Sequence, residues 1–377
     1  MGAPRQGADS APRRKLYPMK NVIRFTLALG LAGSIGLADQ KTKTLDVYWV
    51  DSEGGGSTLI VTPANESILI DTGNPGGRDP ARIVAAAKAA GLAKIDHVFI
   101  THWHIDHFGG AAEVASQIPF GTIYQREIPD GDPNGRAQST FPVQIKPFRE
   151  INAKREMLRP GALIPLREVT GGGAARLELR CLAADQKFVD PTPEQRSRRN
   201  PLTGTVPPKP VDTSDNANSA VFLLSFGPFR FFDGGDLSWN VEEKLVTPYN
   251  LAGTVDVYQT NHHGLEVSNN PVLVQSLEPT VVVMNNGPKK GGQPGSFAAI
   301  HSAKSVQALY QVHKSYNIPD GENTAHDFIA NHENLTGPAA ASCPANVIKM
   351  SVAPDGKSYT ISIPSTHHSR TYRTKAM

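Results

Sequence analysis

Four side chains that can bind a metal ion lie within six residues, in the block Thr-His-Trp-His-Ile-Asp-His-Phe-Gly-Gly at positions 101–110. These side chains are His102, His104, Asp106 and His107. Neutral imidazoles and carboxylates are ligands that Zn²⁺ accepts. In an extended segment, the His-x-His spacing lets alternate side chains converge on one ion, while Asp106 and His107 turn the chain toward a second ion. The block therefore predicts a metal-dependent hydrolytic centre.

The position of this block supports that interpretation over a solvated loop rich in histidine. It follows the apolar, strand-like run 97–100 and ends in Gly109 and Gly110 at a helix entry. The motif resembles the signature of the metallo-β-lactamase superfamily. That resemblance implies an α/β fold, a four-layer αββα sandwich with the metal ligands on loops at one edge of the two sheets. It assigns His102 and His104 to a first metal site, and Asp106 and His107 to a second.

Further blocks narrow the resemblance. In chain order they lie at residues 54–63, 68–73, 102–107, 218–219, 235–236 and 262–264. The series is similar to the extracytoplasmic hydrolase domain of ComEC-type competence proteins and their soluble relatives, and it covers most of residues 45–285. The order of all the blocks is more specific than any single block.

The resemblance implies roles for residues outside the first block. Asp71 corresponds to a buried carboxylate that supports the metal-ligand loop, although it could also simply cap a strand-end turn. Asp236 corresponds to the carboxylate that bridges two metals, and Asp233 is a weaker candidate, with a turn role favoured. We favour His262 over His263 as the last ligand of the second site, because neighbouring side chains in an extended segment point opposite ways.

The other histidine of that pair, His263, is then expected beside the substrate, and Asp106 and His263 are the residues we expect to act in the reaction.

One departure from the superfamily concerns the first site. Between His107 and His262 the sequence has no histidine, so the first site lacks its usual third imidazole. ComEC-type relatives carry Asn and Ser near that place, which resembles Asn216, Asn218 and Ser219 here. Asn218 is a candidate for contact with metal or substrate, and a hydrogen bond at the strand entry is its alternative role.

The predicted chemistry is hydrolysis by a metal-activated water, with two Zn²⁺ per chain and Mn²⁺ as an alternative because the first site is short of an imidazole. Paired metals suit displacement at phosphorus, so the first expectation is a phosphodiester substrate, either a small molecule or a nucleic acid. A metallo acyl hydrolase, such as a lactonase or β-lactamase, is the second expectation. A binding module that keeps its metal without catalysis is the third.

Residues 1–38 read as a bacterial signal peptide, with a basic start at 19–24, an apolar stretch at 25–37 and a small residue at Ala38. An uncleaved N-terminal anchor is the alternative, but the apolar stretch is short for a membrane span. We therefore expect a secreted or periplasmic protein without stable membrane insertion after cleavage.

Cleavage would remove six of the 38 basic residues and one of the 35 acidic residues, leaving a net charge near −2. The basic character of the whole chain gives no support for a general nucleic-acid-binding surface. Any polyanion would have to be held at a local site.

The two cysteines, Cys181 and Cys343, are far apart in the sequence. One disulfide and two buried thiols are equally compatible with an exported chain. Neither cysteine is predicted to bind metal, because a cysteine-based zinc site usually has paired spacing.

The pattern along residues 39–377 predicts a single hydrolase domain. Strands are predicted at 45–50, 57–61, 67–71, 97–100, 175–182, 219–226, 229–232, 255–260 and 280–284. Asp79 and Pro80 predict the start of a helix over 81–90, with Asp79 as its N-cap. Residues from about 119 to 215 are interpreted as an insertion with a few strands and a long loop, either a lid or a mobile linker.

Three residues in the C-terminal part have open roles. Lys289 or Lys290 can pair with a phosphate, although a solvated turn is the favoured interpretation. His313 follows a strand-like run and is a candidate to face the cleft, although a structural histidine is the favoured interpretation.

Overall fold

The computed structural model describes residues 1–2, 43–168 and 175–375. All but the first two residues of the predicted signal peptide lie outside these ranges. Residues Lys41–Met377 group into one compact unit. Among the described residues, no helix has both the length and the apolar character that crossing a membrane requires.

The first sheet begins with three antiparallel strands and continues with parallel ones. Its N-terminal strands are β1 (Leu45–Trp49), β2 (Thr58–Val61), β3 (Ser67–Ile70), β4 (Ile95–Phe99), β5 (Phe120–Gln125) and β6 (Lys154–Met157). β3 and β4 pair in parallel, with Ile70 opposite Phe99. Asp71 and the histidine block therefore leave the sheet at the same edge.

Helix α1 (Arg78–Ala89) connects β3 to β4, and it begins earlier than predicted. Its N-cap residue is Gly77, with φ 85°, and no side chain caps the helix. Asp79 lies inside the first turn, and its carboxylate accepts hydrogen bonds from Asn74 N (2.8 Å) and Arg78 Nε (2.6 Å). The prediction of Asp79 as N-cap was wrong because the positive φ at Gly77 turns the chain into the helix two residues sooner.

The second sheet contains eight strands in the order β14-β13-β12-β11-β10-β9-β7-β8. They are β7 (Leu177–Ala184), β8 (Lys187–Phe188), β9 (Val221–Phe226), β10 (Phe229–Asp233), β11 (Val257–Gln259), β12 (Val281–Met284), β13 (Ala308–His313) and β14 (Ile329–Asn331). β9 and β10, which match the strands predicted at 219–226 and 229–232, form a hairpin around Gly227, whose φ is 57°. From β10 to β14 all pairings are parallel.

The chain then returns to the first sheet. β15 (Ile348–Val352) pairs antiparallel with β1, and β16 (Ser358–Ile363) and β17 (His368–Arg373) extend that edge. The first sheet therefore has nine strands, in the order β17-β16-β15-β1-β2-β3-β4-β5-β6.

Apolar side chains fill the space between the two sheets. The Trp49 ring meets Phe231 edge to face at a centroid distance of 5.8 Å, and Phe99 meets Phe222 at 5.0 Å. Such aromatic contacts add to the stabilisation that burial provides. A polar contact also joins the sheets, because Trp49 Nε1 donates to Gln259 Oε1 at 2.7 Å.

Helices cover the outer face of each sheet and complete the four-layer sandwich. α1 and α3 (Ala111–Ala115) bury their apolar faces on the first sheet. α7 (Trp239–Val246), α8 (Pro271–Leu277) and α9 (Pro294–Ser302) do the same on the second. The remaining short helices are α2 (Ile105–Phe108), α4 (Phe141–Gln144), α5 (Lys146–Arg149) and α6 (Pro193–Ser197). The predicted αββα sandwich is confirmed.

The segment interpreted as an insertion contributes to both sheets. β5 and β6 extend the first sheet, and β7 pairs with β9 in the second. The loop after β8 carries α6, which Thr192 and Gln195 cap reciprocally. Asn200 fixes the loop to the second layer of helices, since its amide nitrogen donates to Val246 O (2.8 Å) and Ser276 Oγ (2.7 Å).

Both cysteines are buried free thiols. Cys181 lies in β7 within the core between the sheets, and Cys343 lies in the loop before β15. Of the two predicted alternatives, the structure therefore has the free thiols.

Candidate metal centre

Loops from both sheets meet at one edge of the sandwich. Asp71 follows β3, the block 101–107 follows β4, Asp236 follows β10, and the His262–His263 pair follows β11. These strands end at the same edge within each sheet because β3 and β4 are parallel, as are β10 and β11. The carboxyl ends of parallel strands are the usual place for a site in α/β folds.

One group of side chains at this edge combines two carboxylates and two imidazoles: Asp106, His107, Asp236 and His263. His107 Nε2 lies 3.4 Å from Asp106 Oδ2 and 3.2 Å from Asp236 Oδ2. His263 Nε2 lies 3.4 Å from Asp236 Oδ1 and 3.7 Å from Asp106 Oδ2. The structure thus brings Asp106, His107 and Asp236 together as the resemblance implied for the second site, with His263 as the fourth member.

A second group contains His102, His104 and the same Asp236. His102 Nε2 lies 3.8 Å from Asp236 Oδ2. Asp236 belongs to both groups, as the bridging position that the resemblance implies for it would require.

The donor set fits divalent cations. Four buried ligand atoms in these groups have no hydrogen-bond partner within the described ranges, namely His102 Nε2, His107 Nε2, His263 Nε2 and Asp236 Oδ1. Buried polar atoms are normally satisfied, so a cluster of four such atoms requires an explanation. Cations held by the two groups would satisfy these atoms. Imidazole with carboxylate is a ligand set that suits Zn²⁺ and tolerates Mn²⁺.

Hydrogen bonds orient the imidazoles through their far nitrogens. Asp71 Oδ2 lies 2.6 Å from His107 Nδ1 and accepts from Thr101 Oγ1 at 2.7 Å, while Asp71 Oδ1 accepts from Thr101 N at 2.8 Å. Asn134 Oδ1 lies 2.8 Å from His104 Nε2. These contacts set which ring nitrogen of each histidine faces the centre, as carboxylates and amides do around metal sites. Asp71 therefore has the contacts of a residue that supports the ligand loop.

Gly56 is part of this support because it packs directly on the Asp71–His107 pair. A Cβ at position 56 would lie 2.7 Å from His107 Nδ1 and 2.8 Å from Asp71 Oδ2. The backbone N–H of Gly56 also donates to Asp106 O at 3.0 Å. Glycine is needed here for close approach, which explains the Gly-Gly-Gly run at 54–56.

The charged side chains at the centre shift one another's pKa values. Burial alone would raise the pKa of Asp236, but His107, His263 and His262 hold it well below its usual range. The pKa of Asp106 is low for the same reason, with His107 and Lys290 outweighing burial. Burial, with the charge of His107, lowers the pKa of His102. Asp236, Asp71 and Asp106 in turn hold the pKa of His107 well above its usual range against the effect of burial, so a metal ion would have to displace the proton of that imidazole.

Both members of the histidine pair lie near Asp236, contrary to the expectation that they point opposite ways. His262 Nε2 is 3.5 Å from Asp236 Oδ2. The expectation assumed an extended backbone, but both residues are left-handed, with φ of 51° for His262 and 56° for His263. Two adjacent non-glycine residues in this region are strained, and such strain concentrates at functional sites. His263 joins the second-site group, whereas the prediction favoured His262 for that role.

A buried carboxylate that the sequence reasoning did not single out holds this strained turn. Glu242 accepts hydrogen bonds from Asn261 Nδ2 (2.6 Å), Asn269 N (2.8 Å) and Asn270 N (2.6 Å). Burial raises the pKa of Glu242 to about 7 against the effect of these donors. The asparagines at 261, 269 and 270 are visible in the sequence near the histidine pair, but nothing in the sequence linked them to Glu242 in α7.

The two asparagines near the missing imidazole face different ways. Asn218 Nδ2 donates to Asp215 Oδ1 at 3.0 Å, and its Oδ1 accepts from Gln186 Nε2 at 3.0 Å. Asn216 faces the centre, with Nδ2 3.4 Å from His262 Nε2 and Oδ1 buried without a hydrogen-bond partner in the described chain. The geometry therefore favours Asn216 over Asn218 for contact with metal or substrate.

Lys290 contributes a cation to the centre. Its ammonium hydrogen-bonds to Asp106 Oδ2, and its side chain remains 41% exposed. This contact joins the loop after β12 to the histidine block. The lysine thus lies between the centre and solvent. The sequence alone had favoured a solvated turn for this lysine.

Comparison with known proteins supports the same superfamily. The sequence model of the metallo-beta-lactamase superfamily matches residues 51–178. Competence protein ComA of Neisseria gonorrhoeae is 25% identical over 236 residues, which cover 62% of this chain and 26% of that protein. An atrochrysone carboxyl ACP thioesterase of Aspergillus fumigatus is 32% identical over 130 residues, 31% of each chain. The chain thus spans about a quarter to a third of the length of these relatives.

Among solved structures, the metallo-beta-lactamase fold protein YhfI from Bacillus subtilis is similar, with 13% identity and a TM-score of 0.41. That alignment covers 71% of this chain and 96% of YhfI.

Replacing Asp236 by alanine should remove most of the bound metal and all measurable hydrolysis, because the carboxylate is common to both ligand groups. Metal per chain, counted by plasma emission after dialysis, is the measurement. Asp256→Asn is the control, since Asp256 is a buried carboxylate that precedes β11 at its opposite end. Full metal content in a folded Asp236→Ala variant would contradict the ligand assignment.

Asn216→Ala should weaken metal binding by about tenfold, as loss of a supporting contact commonly does. Asn218→Ala should have a smaller effect, because its amide bonds to Asp215 and Gln186. Competition with a chromogenic chelator measures both variants. A larger loss of affinity in Asn218→Ala would reverse the assignment.

Proposed function

We propose that this chain, in which residues 51–178 match the sequence model of the metallo-beta-lactamase superfamily, is a metal-dependent hydrolase that cleaves phosphodiesters with two divalent ions. The first ion would be held by His102, His104 and Asp236, and the second by Asp106, His107, His263 and Asp236. His262 would complete the first ion's shell in place of the missing third imidazole, since its Nε2 is 3.5 Å from the shared carboxylate and 3.4 Å from Asn216.

When bound, the two ions supply Lewis acidity, acidify a water to the nucleophile and offset charge at the reacting phosphorus. Zn²⁺ is the ion we propose, with Mn²⁺ as the alternative that a site rich in oxygen ligands allows. The protein's own residues orient this chemistry. Asp71 and Asn134 fix the imidazoles, and Glu242 holds the turn that carries His262 and His263.

The observation that most favours an anionic substrate is the position of Lys290. Its ammonium touches Asp106, while 41% of the side chain faces solvent. A phosphate oxygen arriving at the centre would meet this cation as well as the metals. A neutral ester or lactam would gain no comparable charge-assisted contact.

Two cavities flank the centre and suit the two arms of a diester. One, of about 230 Å³, is lined by His104, Asp106 and Arg136, and by Asp132, which pairs with Arg136 at 3.2 Å. The other, of about 590 Å³, is lined by Arg78, Lys289 and Lys290, with Glu53 as its acidic side chain. Each cavity contains a cationic side chain beside residues at or next to the centre. A diester whose phosphate lies at the metals would extend one substituent into each cavity.

A nucleic acid strand and a small diester share this chemistry, so both are candidate substrates. The similarity to a competence protein is a reason to test nucleic acid, and it extends over only 26% of that relative. Net charge of the mature chain would be near −2, which leaves local cations such as Lys290 and Arg136 to hold a polyanion.

Acyl hydrolysis is the second candidate function, and similarity to fungal thioesterases favours it. Two relatives named as thioesterases are 32% and 37% identical over 31% and 17% of this chain. Acyl transfer at a metal centre would use the same ligands but would not need Lys290.

We also propose that the protein is secreted or periplasmic. The basic start and apolar stretch within residues 1–38 support this, as does the length of that stretch, which is short for a membrane span.

Turnover of four substrates by the purified chain tests the proposal: bis-p-nitrophenyl phosphate, single-stranded DNA, p-nitrophenyl acetate and a chromogenic lactam. We expect phosphodiester cleavage that requires added Zn²⁺ or Mn²⁺ and is abolished by chelation. DNA cleavage would distinguish a nuclease from an enzyme for small diesters. Turnover restricted to the ester or the lactam would replace the phosphodiester proposal with acyl hydrolysis.

Lys290→Gln should raise KM for the anionic diester on the order of 10- to 100-fold, the range expected for loss of a charge-assisted hydrogen bond. Hydrolysis of the neutral ester should change little. Lys289→Gln is the matched control, because Lys289 is exposed and lacks the contact to Asp106. Equal effects of Lys290→Gln on both substrates would show that the lysine supports Asp106 without binding the substrate.

A further inference from the structure

A third group of metal-binding side chains includes the first residues of the loop that carries the glycines at 54–56. It consists of Asp51, Glu53, His313 and Cys343, whose ligand atoms all lie within 4.8 Å of one another. Asp51 and Glu53 follow β1 in the first sheet, His313 is the last residue of β13 in the second sheet, and Cys343 lies in the loop before β15. None of these residues belongs to the groups around Asp236.

The side chains of the group lie close together, with a hydrogen bond between His313 and Asp51. His313 Nε2 lies 2.8 Å from Asp51 Oδ1 and 3.9 Å from Glu53 Oε1. Cys343 Sγ lies 3.6 Å from Asp51 Oδ2. Asp51 is fully buried, His313 is 1% exposed and Cys343 is 7% exposed. Surface clusters of acids are common without metal, but this group is buried and contains a thiol and an imidazole.

We infer that Asp51, Glu53, His313 and Cys343 form a further, closed metal site that joins the two sheets. Thiolate, imidazole and carboxylate are all ligands of Zn²⁺, and four protein ligands are typical of structural zinc sites. Cys343 was not predicted as a ligand because the sequence has no paired cysteine spacing. The fold supplies the partners from distant positions instead.

Arg82 is the residue that a metal would have to accommodate. Its guanidinium contacts Asp51 Oδ2 at 2.9 Å and Glu53 Oε1 at 3.3 Å, and it also donates to Ala340 O at 2.9 Å. An ion-pair network with His313 explains the two carboxylates without a metal. In that network the thiol donates weak hydrogen bonds to Asp51 Oδ2 at 3.6 Å and to Asn331 Oδ1 at 3.8 Å, which a metal ion would replace with a bond to the sulfur.

Charge balance permits a cation beside Arg82. A bound divalent ion and Arg82 together carry three positive charges, which match the two carboxylates and a thiolate. Burial raises the pKa of the Cys343 thiol to about 12, so the thiol must release its proton to solvent when metal binds. The guanidinium would give up its contact to Glu53 and keep those to Asp51 and Ala340.

The group can be reached from the surface. Cys343 and Arg82 line a groove of about 710 Å³ beside α1, and Glu53 lines the cavity next to Lys290. An ion could therefore enter without unfolding the sandwich.

Metal at this position would stiffen the loop that supports the catalytic centre. Asp51 and Glu53 begin the loop that continues into Gly56, whose N–H donates to Asp106 O at 3.0 Å. A metal bound by Asp51, Glu53, His313 and Cys343 would therefore hold the two sheets together. It would affect the geometry of the catalytic centre only through this loop.

Titration of the purified, metal-free chain with Co²⁺ tests this inference without an activity assay. Thiolate ligation gives a near-ultraviolet charge-transfer absorption, which the proposed catalytic ligands cannot produce because they offer only nitrogen and oxygen. We expect this band in the native chain and in His104→Ala. We expect its loss in Cys343→Ser, together with one equivalent of bound Co²⁺.

Cys181→Ser is the matched control, because Cys181 is a buried free thiol in β7 outside the group, and it should keep the band. His313→Gln keeps the thiol and should lower the Co²⁺ affinity, measured from the growth of the band, by at least about tenfold. Circular dichroism checks that this variant is folded. Absence of the band in the native chain at saturating Co²⁺, or its survival in Cys343→Ser, would contradict the proposal that Cys343 binds a metal with Asp51, Glu53 and His313.

Discussion

The Asp236 carboxylate is the constraint around which the site is arranged. It is buried at the edge where the two sheets meet, and its oxygens lie within 3.8 Å of nitrogens from four histidines. A buried carboxylate is costly unless charge and hydrogen bonds compensate it. The loops after β4 and β11 supply the compensation, so the carboxylate from one sheet binds together elements of both.

Supporting interactions hold these loops in conformations that they would not adopt alone. Asp71 is left-handed, with φ 61°, and anchors Thr101 and His107. Glu242 performs the same task for the turn at His262 and His263, through three asparagine donors. In both places a carboxylate collects several donors and offsets backbone strain, which is how a functional geometry persists against local preference.

The loop at 51–57 connects the two clusters of ligands. Its first residues contribute carboxylates to the group with His313 and Cys343, and Gly56 packs on His107 and Asp71. Lys290 reaches the same region, since it packs beside Gly54 and binds Asp106. The catalytic centre, the cation beside it and the buried cross-sheet group therefore depend on one short glycine-rich segment. Few side chains fit there, which accounts for three consecutive glycines.

The sequence by itself indicated the strands and the ligand block, because both are local signals, and the αββα architecture was implied by the resemblance to a known superfamily. Alternating apolar runs specify strands, and His102 to His107 are close in the chain. It also indicated Asp71 and Asp236, which stand at strand ends. Only the tertiary structure decided which asparagine faces the centre, that His263 joins Asp106 and His107, and that Asp51, Glu53, His313 and Cys343 meet. These outcomes depend on contacts between residues up to 292 positions apart and on left-handed backbone at His262 and His263. Spacing along a chain carries no information about such contacts until the two sheets have packed together.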